Sequence, residues 1–504
     1  MHPLYMATTP STEGVLHKSI QGGKWLTIGT FIQRCIGFAS FFILARMFTP
    51  SDFGVIAIMF LVPNILNATT ETGFGSAAVQ KGGDIKPYLD PLWTIGVLKS
   101  IAIAVIIFLT GPLIATFLNA ENALLAIRLG GISIVLYNLA NIGEMYFSKD
   151  LDFKKIVIRN ISKDTAYAVT ALIGAYYYRS YWVLIIATYV SYAVYALSTY
   201  ILHPYRPKIS FAFSRLRDLV QYSKWVVGQS WLDQIYGFLE PIIVASSTNV
   251  KSVGLYSKGK SVASVAPGFL GPMLNIISFP AYSKLKESPE KIREGFVKSL
   301  DILFFVLIPV NVLLQFSGAK LVHIFLGDQW AAITPILQAM SIFYLFNSLG
   351  DLMYVLFNAI GKPKLRLELD TIKIFFTLIL IIYLTNHLGI FGTALALIFG
   401  LLPSLLLSLR RLTQVTAVTI KDVIGSVWVP FCLSLLLSLP ALLWREQIIQ
   451  LPIIVMISLV VITGLAYISL TWILGKHLNA GPYKTLRLIL QHILPKTKEV
   501  SSLG

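Results

Sequence analysis

The sequence predicts an all-α integral membrane protein: about 14 transmembrane helices, two pseudo-symmetric six-helix lobes and two extra C-terminal helices. Three observations predict it. The 504 residues are 56% hydrophobic and only 13% charged, with a mean hydropathy of +0.72, whereas soluble domains carry about 25% charged residues. The apolar residues come in runs of about 20, the length that crosses roughly 30 Å of hydrocarbon as a helix. Residues 24–54 also recur, without a gap, 200 positions later. Runs this long exclude a lipid-facing β-barrel.

The spans are placed in order. Residues 1–23 are a cytoplasmic N-terminus with no apolar core and no cleavage site, so the first span serves as its own insertion signal. Six spans at 24–47, 53–78, 91–118, 123–147, 158–179 and 181–202 form an N-terminal lobe over 24–202. The basic stretch 203–221 is a hinge. Six more at 222–246, 253–280, 297–320, 332–358, 367–387 and 389–410 form a C-terminal lobe over 222–412. Spans at 424–444 and 452–475 lie outside the repeat, and 476–504 is a tail. The repeat rests on the identities Lys24/Lys224, Trp25/Trp225, Gly37/Gly237, Phe38/Phe238, Ile43/Ile243, Ala45/Ala245 and Gly54/Gly254. Both copies run from inside to outside, a parallel repeat of the transporter kind.

The net charge of +17 is a matter of topology. Lys149, Lys154, Lys155, Arg159, Arg206, Lys208, Arg215, Arg217, Lys284, Lys286, Arg410 and Arg411 all fall in one set of alternate loops. That asymmetry places both termini in the cytoplasm and removes the nucleic-acid reading. Cys35 and Cys432 lie in separate spans, so no disulfide framework is expected. The seven histidines show no metal-ligand spacing, and no P-loop is present to use ATP.

Chemistry is expected at the few charges inside the spans. Arg34 lies ten residues beyond Lys24, about 15 Å along the helix axis. An arginine there costs about 2.5–3.5 kcal/mol to insert, so it should face a wet cavity or a partner. A guanidinium matches phosphate in a bidentate manner; a structural ion pair with Asp233 is the alternative. Lys258 and Lys260 stand beside the small-residue stripe Ser257, Ser261, Ser264 and Gly268, and Lys99 is a further cavity cation. Glu71 and Asp233 are candidates to carry a coupling H+ or Na+, or to neutralise Arg34. Two spans are expected to bend, the second at Pro63 and the eighth at Pro267, Gly268, Gly271 and Pro272. Glu144 and Asp351, nearer span ends, read as interface anchors.

RMFTPSDFGVIA (46–57), ETGFGSAAVQ (71–80), DLDFKKI (150–156), HPYRPKISF (203–211), GLYSKGK (254–260), FPAYSKLKESPEKIREGFVKSL (279–300) and FLGDQWAAITPIL (325–337) resemble the polysaccharide-exporter branch of the MOP flippase superfamily. These are the Wzx-like oligosaccharide-lipid flippases and the colanic-acid and teichuronic-acid exporters. The resemblance runs in order from about residue 18 to about 412. It implies two lobes forming a V and alternating access in a bacterial cytoplasmic membrane. The implied substrate is an undecaprenyl-pyrophosphate-linked oligosaccharide, with polysaccharide polymerase or assembly proteins as partners. QRCIGF (33–38) with ILARMF (43–48) resembles the first helix of the lipid II flippase branch, which implies that Arg34, and less so Arg46, lines a cationic cavity. The rival readings are a multidrug or cation antiporter of the same superfamily, expected to have an acidic cavity, and a membrane polymerase or ligase, expected to carry a large outer loop.

Overall fold

A computed structural model describes residues 12–71, 73–80, 84–217, 219, 234, 237–443 and 453–478. Among them every regular element is helical. The chain divides into two compact units, Met1–Gly254 and Leu255–Gly504.

In the first unit, α1 (Thr12–Met47), α2 (Pro50–Thr69), α3 (Phe74–Gln80), α4 (Lys86–Phe117), α5 (Leu124–Asn138), α6 (Met145–Lys149), α7 (Phe153–Tyr177) and α8 (Tyr181–Leu202) follow in order, then α9 (Gly237–Ser247). Thr49 and Asp52 start α2 as a reciprocal capping box with Pro50 in the first turn, which satisfies two orphan N–H groups. The helix continues through Pro63, whose ring packs on Gly130 of α5. The helix ends at Thr69. There the Thr69 and Thr70 hydroxyls donate to Ile65 O at 2.9 Å and Leu66 O at 2.5 Å, competing with the helical ladder. A second break, unforeseen, turns the 121–138 helix by 61° into 142–149.

Gly54 and Gly254, one of the repeat identities, face each other's helix. A Cβ on Gly54 would strike Val250 O, and one on Gly254 would strike Pro50 O. The partners are themselves 200 apart, so the contact is reciprocal. Only residues without a side chain allow this approach.

The hinge is not a loose linker. Asn141 donates to Tyr205 O at 2.6 Å and His203 O at 3.3 Å. The Tyr205 hydroxyl and the Lys208 N–H both donate to Asp90, at 2.7 and 2.9 Å. Leu216 and Leu219 are buried with Ala77, Ala78, Ile85 and Leu89.

Helix α10 (Val250–Ala263) leads into the second unit, followed by α11 (Val265–Leu285), α12 (Pro289–Phe325), α13 (Thr334–Ala359), α14 (Pro363–Val415), α15 (Ile420–Leu443) and α16 (Ile453–Leu478). The α10–α11 pair bends by 46° at Ser264, because Pro267 has no N–H for the carbonyl of Ala263 and its ring clashes there. α14 would be about 80 Å long if straight, but Gly389 sits at φ 59°, ψ −144° and breaks it. Thr385 meets Thr393, Thr377 meets Gly400, and Leu369 O accepts from Ser404. Pairs that close symmetrically about Gly389 make α14 an antiparallel hairpin. By length and apolarity eight described helices, or ten with the bent pairs, can cross a membrane. The fourteen expected are not reached by that measure, in which α14 counts once and α7 carries charges.

Candidate functional site

The chemistry-bearing residues fall into both units, and each unit is described by itself. In the first, α1 turns Gly22 and Gly29 toward Phe153 and Val157 of α7. Arg34 is half-buried on this helix. Lys99 is half-buried on α4 and lines a 130 Å³ pocket with Phe74, Gly75, Gly96 and Met145. The break after α2 leaves Glu71 exposed and within electrostatic reach of Lys99. Thus the structure brings Glu71 to Lys99, a pairing the sequence did not suggest. Asp233 lies outside the described residues.

Sequence reasoning also missed how Glu144 is held. Arg159 Nη1 donates to Glu144 Oε2 at 2.6 Å, and the Tyr195 hydroxyl lies 3.1–3.2 Å from both carboxylate oxygens. The remaining Arg159 donors reach Asn160 Oδ1 at 3.0–3.1 Å, and Tyr137 stacks on Tyr195 at 4.8 Å. Both charges are matched internally, so this cluster holds α6, α7 and α8 together rather than offering a free cation. Arg159 was legible only as a loop charge.

In the second unit Lys258 and Lys260 are half-buried on α10. The serine stripe beside them is present, but its hydrogens are spoken for: Ser261 donates to Ser257 O and Ser264 to Ser261 O, each at 2.8 Å. These hydroxyls offer acceptors to a ligand and help bend the helix.

Beyond the bend, Pro267, Gly268, Gly271 and Pro272 line a 290 Å³ pocket with Asn275, Tyr344, Asn347, Ser348 and Asp351. Asn347 Nδ2 donates to Asp351 Oδ2 at 2.9 Å. On the neighbouring hairpin Asp370 receives Lys373 Nζ at 2.8 Å and Arg366 Nε at 3.4 Å. The i, i+4 and i, i+3 spacing of Arg366, Asp370 and Lys373 was a readable signal of that pairing, as was the i, i+4 spacing of Asn347 and Asp351.

A separate groove of 380 Å³ runs between α12, α15 and α16. Phe305, Val306, Pro309, Leu437, Leu459 and Ile468 give it an almost wholly apolar wall. The Tyr467 hydroxyl donates to Phe305 O at 3.1 Å, joining α16 to α12. Among the described residues no cluster of His, Cys, Asp and Glu could hold a metal ion.

The profile of a family described as "Polysaccharide biosynthesis protein" matches residues 43–335, more than half of the chain. The lipopolysaccharide biosynthesis protein WzxC of Escherichia coli K12 is 23% identical over 425 residues, covering 83% of this chain and 86% of that protein. An uncharacterized membrane protein in the cps region of Klebsiella pneumoniae is 24% identical, covering 94% and 98%. The teichuronic acid biosynthesis protein TuaB of Bacillus subtilis is 21% identical, covering 64% and 67%. Among solved structures, the lipid II flippase MurJ in an inward closed conformation superposes with a TM-score of 0.70 at 17% identity, covering 90% of this chain and 98% of that one. An inward-facing multidrug resistance MATE transporter gives 0.58 at 16% identity, covering 76% and 95%. These likenesses show a shared helical transporter fold.

Proposed function

Because the chain belongs to the polysaccharide biosynthesis protein family of MOP-superfamily exporters, we propose that it flips an undecaprenyl-pyrophosphate-linked oligosaccharide across a bacterial cytoplasmic membrane by alternating access. The family match over residues 43–335 carries this reading. A sugar headgroup cannot cross hydrocarbon unaided, since each unpaired polar group costs several kcal/mol there. A transporter must replace its water with polar side chains.

In this reading Arg34 is the first candidate to hold the pyrophosphate; Lys99 in the same unit, and Lys258 and Lys260 in the second unit, are the further candidate cations. The apolar groove between α12, α15 and α16 takes the prenyl chain. Coupling to H+ or Na+ through Glu71 or Asp233, or to the membrane potential, supplies the driving force. Both termini face the cytoplasm, and the glycan passes to polymerase or assembly proteins.

Retention of undecaprenyl pyrophosphate by the purified protein, measured by native mass spectrometry, tests the anion site. Wild type should hold the carrier and Arg34→Ala should hold it about ten-fold less well, the worth of one bidentate charge-assisted contact. Equal retention by a folded Arg34→Ala protein would return Arg34 to a structural role.

A further inference from the structure

We propose that the pocket between α11 and α13 binds one neutral sugar ring of the headgroup; this rests on the flippase reading and names a subsite within it. The cavity of 290 Å³ is several times the roughly 30 Å³ share of one water, so it has room for a hydroxyl-bearing ring. Its polar groups converge from two helices. Asn275 comes from α11, and Tyr344, Asn347 and Asp351 come from α13. The Asn347 amide steadies one oxygen of Asp351 at 2.9 Å. A carboxylate and amides beside an aromatic ring accept and donate to vicinal hydroxyls, a charge-assisted arrangement.

The same observations speak against a metal cation. A metal needs several anionic or carbonyl ligands in a close cage, whereas this pocket has one carboxylate and much space. The nearby cations Lys373 and Arg366 pair with Asp370, at 2.8 and 3.4 Å, so a cation entering beside Asp351 would meet their positive charge. A ligand that brings no charge fits such a site.

The backbone supplies the test. A Cβ built on Gly271 meets nothing within 4 Å, although Gly271 lines the pocket. Gly271→Leu would fill the cavity while favouring the helix, since glycine is a poor helix former. Asp351→Asn keeps the shape and removes the charge. The probes are undecaprenyl pyrophosphate, bare and carrying one to two sugars that begin with glucose, galactose or N-acetylglucosamine. Their retention is measured by native mass spectrometry on monodisperse protein.

Wild type should hold at least one glycosylated carrier roughly ten-fold better than the bare carrier, and Gly271→Leu should hold the two alike. Asp351→Asn should lose part of the preference. Arg34→Ala should weaken both carriers equally. If wild type shows the preference and Gly271→Leu keeps it, the pocket is not the sugar subsite. Equal retention of bare and all glycosylated carriers by wild type also overturns the inference. So does sodium binding that Asp351→Asn abolishes and Gly271→Leu does not. Retention of no carrier at all would bring down the flippase reading itself, a result distinct from the others.

Discussion

Helix α12 separates two cavities of opposite chemistry. On one side Phe305, Val306 and Pro309 face an apolar groove of 380 Å³ closed by α15 and α16. On the other, Leu303 borders a polar pocket of 290 Å³ whose remaining wall is the broken α11 and the Asn347–Asp351 pair of α13. Phe305 follows Leu303 by two positions, a little over half a turn of helix. The difference teaches how one chain can handle an amphipathic substrate. An apolar chain gains by leaving water for the first cavity, whereas a hydroxyl-bearing ring needs the partners that only the second provides.

The largest expected effect comes from filling the groove. Gly464 lines it, and a Cβ there meets open space. Gly464→Phe should reduce transfer of a substrate with a full-length prenyl chain about ten-fold or more, because burial is worth about 0.8 kcal/mol per CH₂. A short-chain analogue should be nearly unaffected. Gly271→Leu should do the reverse, sensing the headgroup and ignoring chain length. If both variants respond to the same part of the substrate, the comparison is wrong.

A smaller effect is expected at the seam. Tyr467→Phe removes the hydrogen bond to Phe305 O and should cost about 1 kcal/mol of stability, read as a lower thermal midpoint. Chain-length dependence should be unchanged, since the substitution keeps the aromatic ring that lines the groove.

The smallest effect lies outside both cavities, in the hinge. Burial holds the His203 imidazole below its ordinary pKa, with Lys155 and Arg206 adding to the shift and Asp150 opposing it. Its Nδ1 accepts from the Tyr205 N–H at 3.1 Å, a role that protonation ends. A lowered folded pKa means that the unfolded chain takes up the proton first. Stability should therefore decline slightly as pH falls below about 6.5. His203→Gln should flatten that decline in a thermal melt, leaving substrate preference untouched.

Much of this was legible because membrane helices announce themselves by length and apolarity. The 200-residue offset was legible too, and Gly54/Gly254 proved to be a reciprocal contact rather than a chance identity. The eighth span was expected to bend at its prolines and does so, one turn before Pro267. At Pro63 the ring lies against Gly130 of α5, and α2 continues as helix to Thr69. The polar pocket was hidden. Asp351 stands near a span end, where a carboxylate ordinarily reaches water, and only the fold reveals Asn275 of α11 lining the same pocket. Ion pairs between successive helices, such as Glu144 with Arg159, are likewise invisible to a reading of one helix at a time.

The most direct measurement is leaflet transfer. Proteoliposomes carrying an undecaprenyl-pyrophosphate saccharide in one leaflet would be probed from outside with a glycan-modifying enzyme, with and without H+ and Na+ gradients. The account predicts that the protein brings internal saccharide to the outer leaflet faster than empty liposomes do. No transfer for any saccharide tested, together with efflux of organic cations from the same liposomes, would contradict it and assign the chain to antiport.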